Sequence, residues 1–163
     1  MTTGKQAHLE SARGVKAELM TLLEGMDYCL DWKQDSAEWS PRELVYHVLD
    51  TPPGGLPSLV KGILSGEVRE YDLWSDLTNV TPERAGYDMI QVTADIESFF
   101  QGLDGALSGA SDEDLETKTV MLHQKSRGFD EARTLTAILQ RTLDGHMRDH
   151  LTQLRELRDA LGL

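Results

Sequence analysis

The sequence predicts an all-α protein, a four-helix bundle forming one domain over residues 1–163. Three observations carry that prediction. Apolar residues recur at three- and four-residue steps over long stretches, which is the period of an amphipathic helix. Two of those stretches open on a capping residue followed by proline, the signature of a helix start. No stretch alternates apolar and polar residues convincingly enough to read as a strand.

The first helix is expected from about His8 to Trp32, on a face of Leu9, Ala12, Leu19, Leu23, Met26 and Leu30, with Lys16 out of character. The second opens at Ser40-Pro41-Arg42-Glu43: Ser40 caps, Pro41 suits the first turn, and Glu43 can reach back to the cap amide. It carries Leu44, His47 and Val48 on one face and ends at Thr51-Pro52-Pro53-Gly54-Gly55, which lacks two amide donors. A helical pattern resumes from Leu56 to Leu64, and residues 67 to 80 read as irregular. Thr81-Pro82-Glu83 opens a third helix to about Leu107, with Ala85, Met89, Val92, Ile96, Phe99 and Leu103 inward. Ser108 to Gly128 reads as a loop, with Glu116 to Leu122 the one part open to an extended reading. The fourth helix runs from near Asp130 to about Leu161.

Composition narrows the function classes. The 163 residues are 39% hydrophobic and 27% charged, a globular profile with enough chain for a core. The net charge of −12 opposes a phosphate backbone or an anionic membrane surface, so neither nucleic acid nor membrane is expected as a partner. No apolar run is long enough to span a bilayer, and the polar start Met1-Thr2-Thr3-Gly4-Lys5 reads as no signal peptide. The single cysteine, Cys29, rules out internal disulfides and thiolate metal clusters, and a cytoplasmic location is expected.

The fourth helix holds the most specific signal. Its apolar stripe reads Leu135, Leu139, Thr142, Leu143, His146, His150, Leu154, Leu157 and Leu161, so two histidines replace leucines. Four residues apart, they stack about 6 Å apart along the axis and can converge on one ion. Neutral imidazoles in a core need partners for their ring nitrogens, and a divalent metal satisfies one nitrogen on each ring. Asp50 and Asp149 are the candidate carboxylates to orient the other nitrogens. His47, inward on another helix, completes a three-histidine set with open positions for water or substrate. The alternative is that these are core histidines bonded to one another, to Tyr46 or to water in a non-catalytic binding protein. His8 and His123 read as solvated surface residues, as do the charges of Arg42, Arg148 and Lys125.

Several chemistries are excluded. A zinc-protease helix needs Glu directly after its first histidine, where this chain has Met147. A carboxylate-bridged di-iron bundle needs Glu-x-x-His pairs that are absent here. Gly54-Gly55 follows prolines rather than a strand, so it is not a phosphate loop. Ser40, Ser126 and Cys29 have no evident base nearby in sequence, so no nucleophilic triad is supported.

Trp39-Ser40-Pro41-Arg42-Glu43-Leu44-Val45-Tyr46-His47, followed about a hundred residues later by His146-x-x-x-His150-x-x-Gln153-Leu154, resembles the DinB-like (YfiT-like) superfamily. The resemblance spans nearly the whole chain. It implies a four-helix bundle of up-down-down-up topology, with zinc or nickel on His47, His146 and His150. It also implies a small-molecule substrate, frequently a homodimer, and in several members transfer chemistry with a low-molecular-weight thiol such as bacillithiol, mycothiol or glutathione. Hydrolysis by a metal-activated water is the other activity considered. Pro52-Pro53-Gly54-Gly55 departs from the pattern, since the helix after His47 would be expected to run on; the break is expected at the mouth of the site.

Overall fold

The computed structural model describes residues 4–163. Its helical part follows the sequence pattern. Helix α1 (Gly4–Leu23) buries Leu9, Ala12, Val15, Leu19, Leu22 and Leu23. Lys16, the outlier on that face, turns its ammonium to Glu97 at 2.5 Å. Helix α1 stops well short of Trp32 because Gly25 adopts a left-handed φ of 78°, which costs glycine little and breaks the helical hydrogen-bond run. Met26, Cys29 and Leu30 remain buried in the turns that follow.

Helix α2 (Pro41–Leu49) begins with the expected capping box: Ser40 accepts from the Glu43 amide, and Glu43 accepts from the Ser40 amide. Helix α3 (Leu56–Ser65) follows the Pro-Pro-Gly-Gly break, with a cis Thr51–Pro52 bond inside it. The third long helix does not start at Thr81. Thr81 caps only the short α4 (Pro82–Ala85), and the chain then turns at Gly86. Helix α5 (Met89–Ser108) starts afresh on a capping box of Asp88 and Gln91 and buries Val92, Ile96, Phe99, Phe100 and Leu103. A second cap defeats the first because Asp88 satisfies amides that a continuous helix would have paired internally. Ala85 is therefore exposed rather than inward, whereas Met89, at the start of α5, is half-buried against the core.

The expectation of a purely helical protein is corrected by a three-stranded sheet. After α6 (Asp112–Thr117) come β2 (Thr119–Gln124) and β3 (Phe129–Thr134), which pair antiparallel, while β1 (Glu70–Leu73) pairs parallel to β2. Strand β2 does alternate, burying Val120, Leu122 and Gln124. Strand β3 is Phe-Asp-Glu-Ala-Arg-Thr with no buried side chain, so its pairing partner rather than its own pattern makes it a strand. Residues 67 to 80 are irregular apart from β1; of residues 108 to 128, Asp112–Thr117 is helical and Thr119–Gln124 is extended, as the reading of Glu116 to Leu122 allowed in part; and Asp130 lies in β3 rather than at a helix start.

The last helical run begins at Thr134, which caps α7 (Leu135–Leu139), widens into a π-helical segment (Gln140–His146), and continues as α8 (Met147–Ala160). In the core, α1 packs on α5 and α8, α2 on α5 and α8, and α3 on α5. Leucines at both ends of the run are buried as expected, including Leu135, Leu139, Leu143, Leu154 and Leu157. No helix among the described residues is long and apolar enough to cross a membrane.

Candidate metal centre

Three side chains from two helices meet where α2 crosses the start of α8. His47 Nε2 lies 2.9 Å from His146 Nε2, and His150 Nε2 lies 3.1 Å from the same atom. All three residues therefore offer a ligand atom within 4.8 Å of one another. His47 is fully buried, whereas His146 and His150 are partly accessible. The ring pairs meet edge to face at centroid separations of 4.6 to 4.9 Å. Trp39, just before the α2 cap, stacks on His150 at 5.9 Å and tilts against His47 at 4.6 Å.

The far side of each ring explains the arrangement. His47 Nδ1 faces the backbone carbonyl of Leu77. A carbonyl only accepts, so Nδ1 carries the hydrogen and Nε2 presents a bare lone pair to the cluster. His150 Nδ1 faces Gln153 Oε1 in the same way. His146 can then supply at most one hydrogen between two facing nitrogens. At least one lone pair in the cluster meets no hydrogen, and the donor set fits a cation better than it fits itself. Three imidazoles suit zinc, nickel, copper and iron.

The sheet that the sequence did not announce holds one of these partners. The Lys125 amide donates to the Leu73 carbonyl, the Ser75 amide donates to Ser126 Oγ, and Ser126 Oγ donates to Asp76. The β2–β3 turn thereby anchors the segment leading to Leu77. Asn79, at a φ of 60°, then turns its side-chain Nδ2 toward the carbonyls of Tyr46 and His47 and Thr51 Oγ1, tying this segment to the end of α2.

Burial is the leading cause that lowers the basicity of all three histidines. His146 is pushed down to about 3, with His150 and His47 adding repulsion. His47 and His150 lie below their ordinary value, although the Leu77 carbonyl and Gln153 partly oppose the shift. At neutral pH all three are uncharged, the state that binds metal. The sign for stability follows from linkage. Well above pH 6.5 neither folded nor unfolded chain protonates these rings. Below it the unfolded chain takes up protons that the folded chain resists, so stability falls with falling pH, down to about pH 3 for His146. Urea unfolding of metal-stripped protein should give a lower midpoint at pH 5 than at pH 7. A His146→Gln variant should lose part of that difference; an equal drop would contradict the assignment.

The two carboxylates expected beside the histidines are elsewhere. Asp50 caps the end of α2 and binds Arg84 Nη1 at 2.5 Å, while Asp149 is exposed and bonded to no histidine. A backbone carbonyl and an amide do their work instead. Gln153 was visible in the sequence as part of His-x-x-Gln-Leu; the Leu77 carbonyl carries no sequence signal. His8 is buried beside Thr136 rather than solvated, and His123 sits on β2, its Nδ1 donating to Asp130 at 2.7 Å. Arg42 is buried, contrary to its reading as a surface charge, whereas Arg148 pairs with Glu18 and Lys125 with Asp72 at the surface.

A cavity of about 320 Å³ opens on His150, lined by Trp39, Leu44, Gln153 and Leu157 and by the polar side chains Gln34, Glu38 and Glu156. Gly54 and Gly55 line a different cavity, with Tyr46 and Asp95. The Pro-Pro-Gly-Gly break is therefore not the rim of the cavity that reaches the histidines; of that segment, Thr51 touches His47, at 3.4 Å.

Comparison with solved structures gives the architecture its place. YfiT from Bacillus subtilis, described as a probable metal-dependent hydrolase with an unusual four-helix bundle topology, superposes with a TM-score of 0.72 over 97% of this chain and 87% of its own, at 18% identity. The chain has a YfiT-like fold. A structural-genomics protein from Streptococcus pneumoniae gives 0.65 over 98% and 92%, at 13% identity. No protein-family model matches the sequence, and no curated protein matches it significantly. The YfiT-like fold is thus shared at low identity.

Proposed function

We propose that the protein is a metal-dependent hydrolase of a small molecule, with one divalent ion, zinc or nickel, held by His47, His146 and His150. The observation that carries this reading is the convergence of three imidazole nitrogens, with too few hydrogens between them, one of whose rings, His150, lines an accessible cavity. The YfiT-like fold supports it, since that Bacillus protein is described as a probable metal-dependent hydrolase. A bound divalent ion supplies Lewis acidity, lowering the pKa of water and polarising a carbonyl.

The chain's own residues supply the rest. The Leu77 carbonyl and Gln153 fix the two outer rings in the tautomer that points Nε2 inward. Trp39 packs on His47 and His150 and limits their rotation. Leu44 and Leu157 give the cavity an apolar wall beside its polar side chains, so that a substrate's apolar part and its polar part can be held apart. Three protein ligands without a fourth leave room for a reactant, the arrangement of catalytic rather than structural sites. Transfer to a carboxylate-bearing thiol such as glutathione or bacillithiol finds no support in the cavity. No lysine or arginine lines it among the described residues.

Elemental analysis of protein purified without a histidine tag is the direct test, with about one divalent ion per chain expected. A chain that takes up no zinc or nickel at micromolar concentration would end the proposal. Gln153→Ala should weaken metal affinity by roughly 10- to 100-fold through loss of the His150 partner, read by competition with a chromophoric chelator.

A further inference from the structure

The cavity over His150 carries an asymmetry of charge that bears on its ligand. Its polar lining is Gln34, Glu38, Gln153 and Glu156, with no lysine or arginine among the described residues. Glu38 lies in the connection before α2 and Glu156 one turn beyond Gln153 on α8, so two separate elements each bring a carboxylate to the same cavity. Many other acidic side chains near basic ones are paired: Glu18 with Arg148 and Arg155, Glu43 with Lys33, Asp31 with Arg42 and Glu97 with Lys16. Glu38 and Glu156 form no ion pair among the described residues, although Lys33 and Arg155 lie close in sequence and are engaged elsewhere.

Trp39 lines the same cavity, and its ring stacks on His150. An indole is the most effective aromatic partner for an organic cation. Carboxylates around an aromatic wall favour a positively charged, partly apolar group and repel an anion. The net charge of −12 acts in the same direction at long range, concentrating cations near the surface. About 320 Å³ fits a small molecule rather than a polymer.

Resting on the hydrolase reading above, we infer that the substrate is a small organic cation, an ammonium-bearing ester or amide. Its cationic end lies near Trp39, Glu38 and Glu156, and its acyl group is directed toward His150, the member of the three-histidine cluster that lines the cavity.

The test uses acetylcholine and its uncharged isostere 3,3-dimethylbutyl acetate as probes, with 4-acetoxybutanoate as the anion. Binding is measured by ligand-observed NMR at low ionic strength, on zinc-loaded and on metal-stripped protein. The cationic ester should bind at least about tenfold more tightly than the isostere, and the anion more weakly than either, with or without zinc. In the E38Q/E156Q double variant the cation should lose most of that preference. The exposed control E113Q/E116Q, on α6 and outside the cavity, makes the same change in net charge and should keep it. Equal binding of cation and isostere, or a preference that survives E38Q/E156Q, overturns the inference. Ester cleavage is followed separately. Cation selectivity without zinc-dependent cleavage would count against the hydrolase reading while upholding the charge selectivity; cleavage indifferent to charge would do the reverse.

Discussion

His146→Ala should abolish stable metal binding. His146 Nε2 is the shared neighbour of both other ligand atoms, at 2.9 and 3.1 Å, so its loss leaves His47 and His150 as a two-nitrogen site. Loss of a supporting partner alone costs roughly 10- to 100-fold in affinity, so loss of a ligand should exceed about a hundredfold. The thermal consequence is equally specific. Zinc at about a hundred times its Kd stabilises a folded protein by about 2.7 kcal/mol, or roughly 5 to 10 °C in a domain of this size. The parent protein should show that rise on adding zinc and the variant should not. In the absence of metal the variant should be little destabilised, because the substitution removes a crowded, poorly supplied imidazole. An H146A protein that takes up zinc as tightly as the parent would refute the site.

Arg42→Met should be among the more damaging single substitutions outside that centre. Arg42 is only 5% exposed. Its Nε and Nη2 reach the Asp31 carboxylate at 2.7 and 3.2 Å, and its Nη1 donates to the carbonyls of Arg84 and Tyr87 at 2.7 and 2.6 Å. One side chain thus ties α2 to the turns after α1 and to the corner between α4 and α5. Methionine matches much of the stem but leaves the two carbonyls without their donor, at a cost of about 2 to 4 kcal/mol. Asp31 is 71% exposed in its side chain, so Asp31→Asn should cost less than about 1 kcal/mol. Urea midpoints at constant slope would separate the two. If both substitutions cost the same, the carbonyl contacts are not what holds this corner.

The comparison of Arg42 with His146 shows what a sequence can carry. His146 and His150 stand in an apolar stripe, where a polar side chain needs a reason, and their spacing along one helix makes the reason local. Arg42 lies two residues into a helix, where nothing nearby distinguishes a buried guanidinium from a solvated one. Its partners are 11, 42 and 45 residues away. Asp50 and Asp149 failed as partners of the histidines for the converse reason. Nearness in sequence suggested them, but Asp50 is drawn to Arg84 and Asp149 points outward. Any residue can lend a backbone carbonyl, so nothing in the sequence singles out Leu77.

The sequence by itself determined the helices with strong caps and an unbroken apolar period, the break after α2, and the convergence of His146 with His150. These depend on interactions within a few residues, which propensity and spacing express directly. The tertiary structure decided the rest. It made Phe129–Thr134 a strand by offering β2 as a partner, since a polar segment gains strand order from pairing and not from its own pattern. It ended α1 at a left-handed Gly25 that also suits a helix interior at modest cost. It brought His47 across to the pair on the last helical run, and it carried the Leu77 carbonyl to His47 on a segment anchored by the sheet. The three-histidine cluster that began as two histidines on one helix face is, in three dimensions, the joint product of both helices and that sheet.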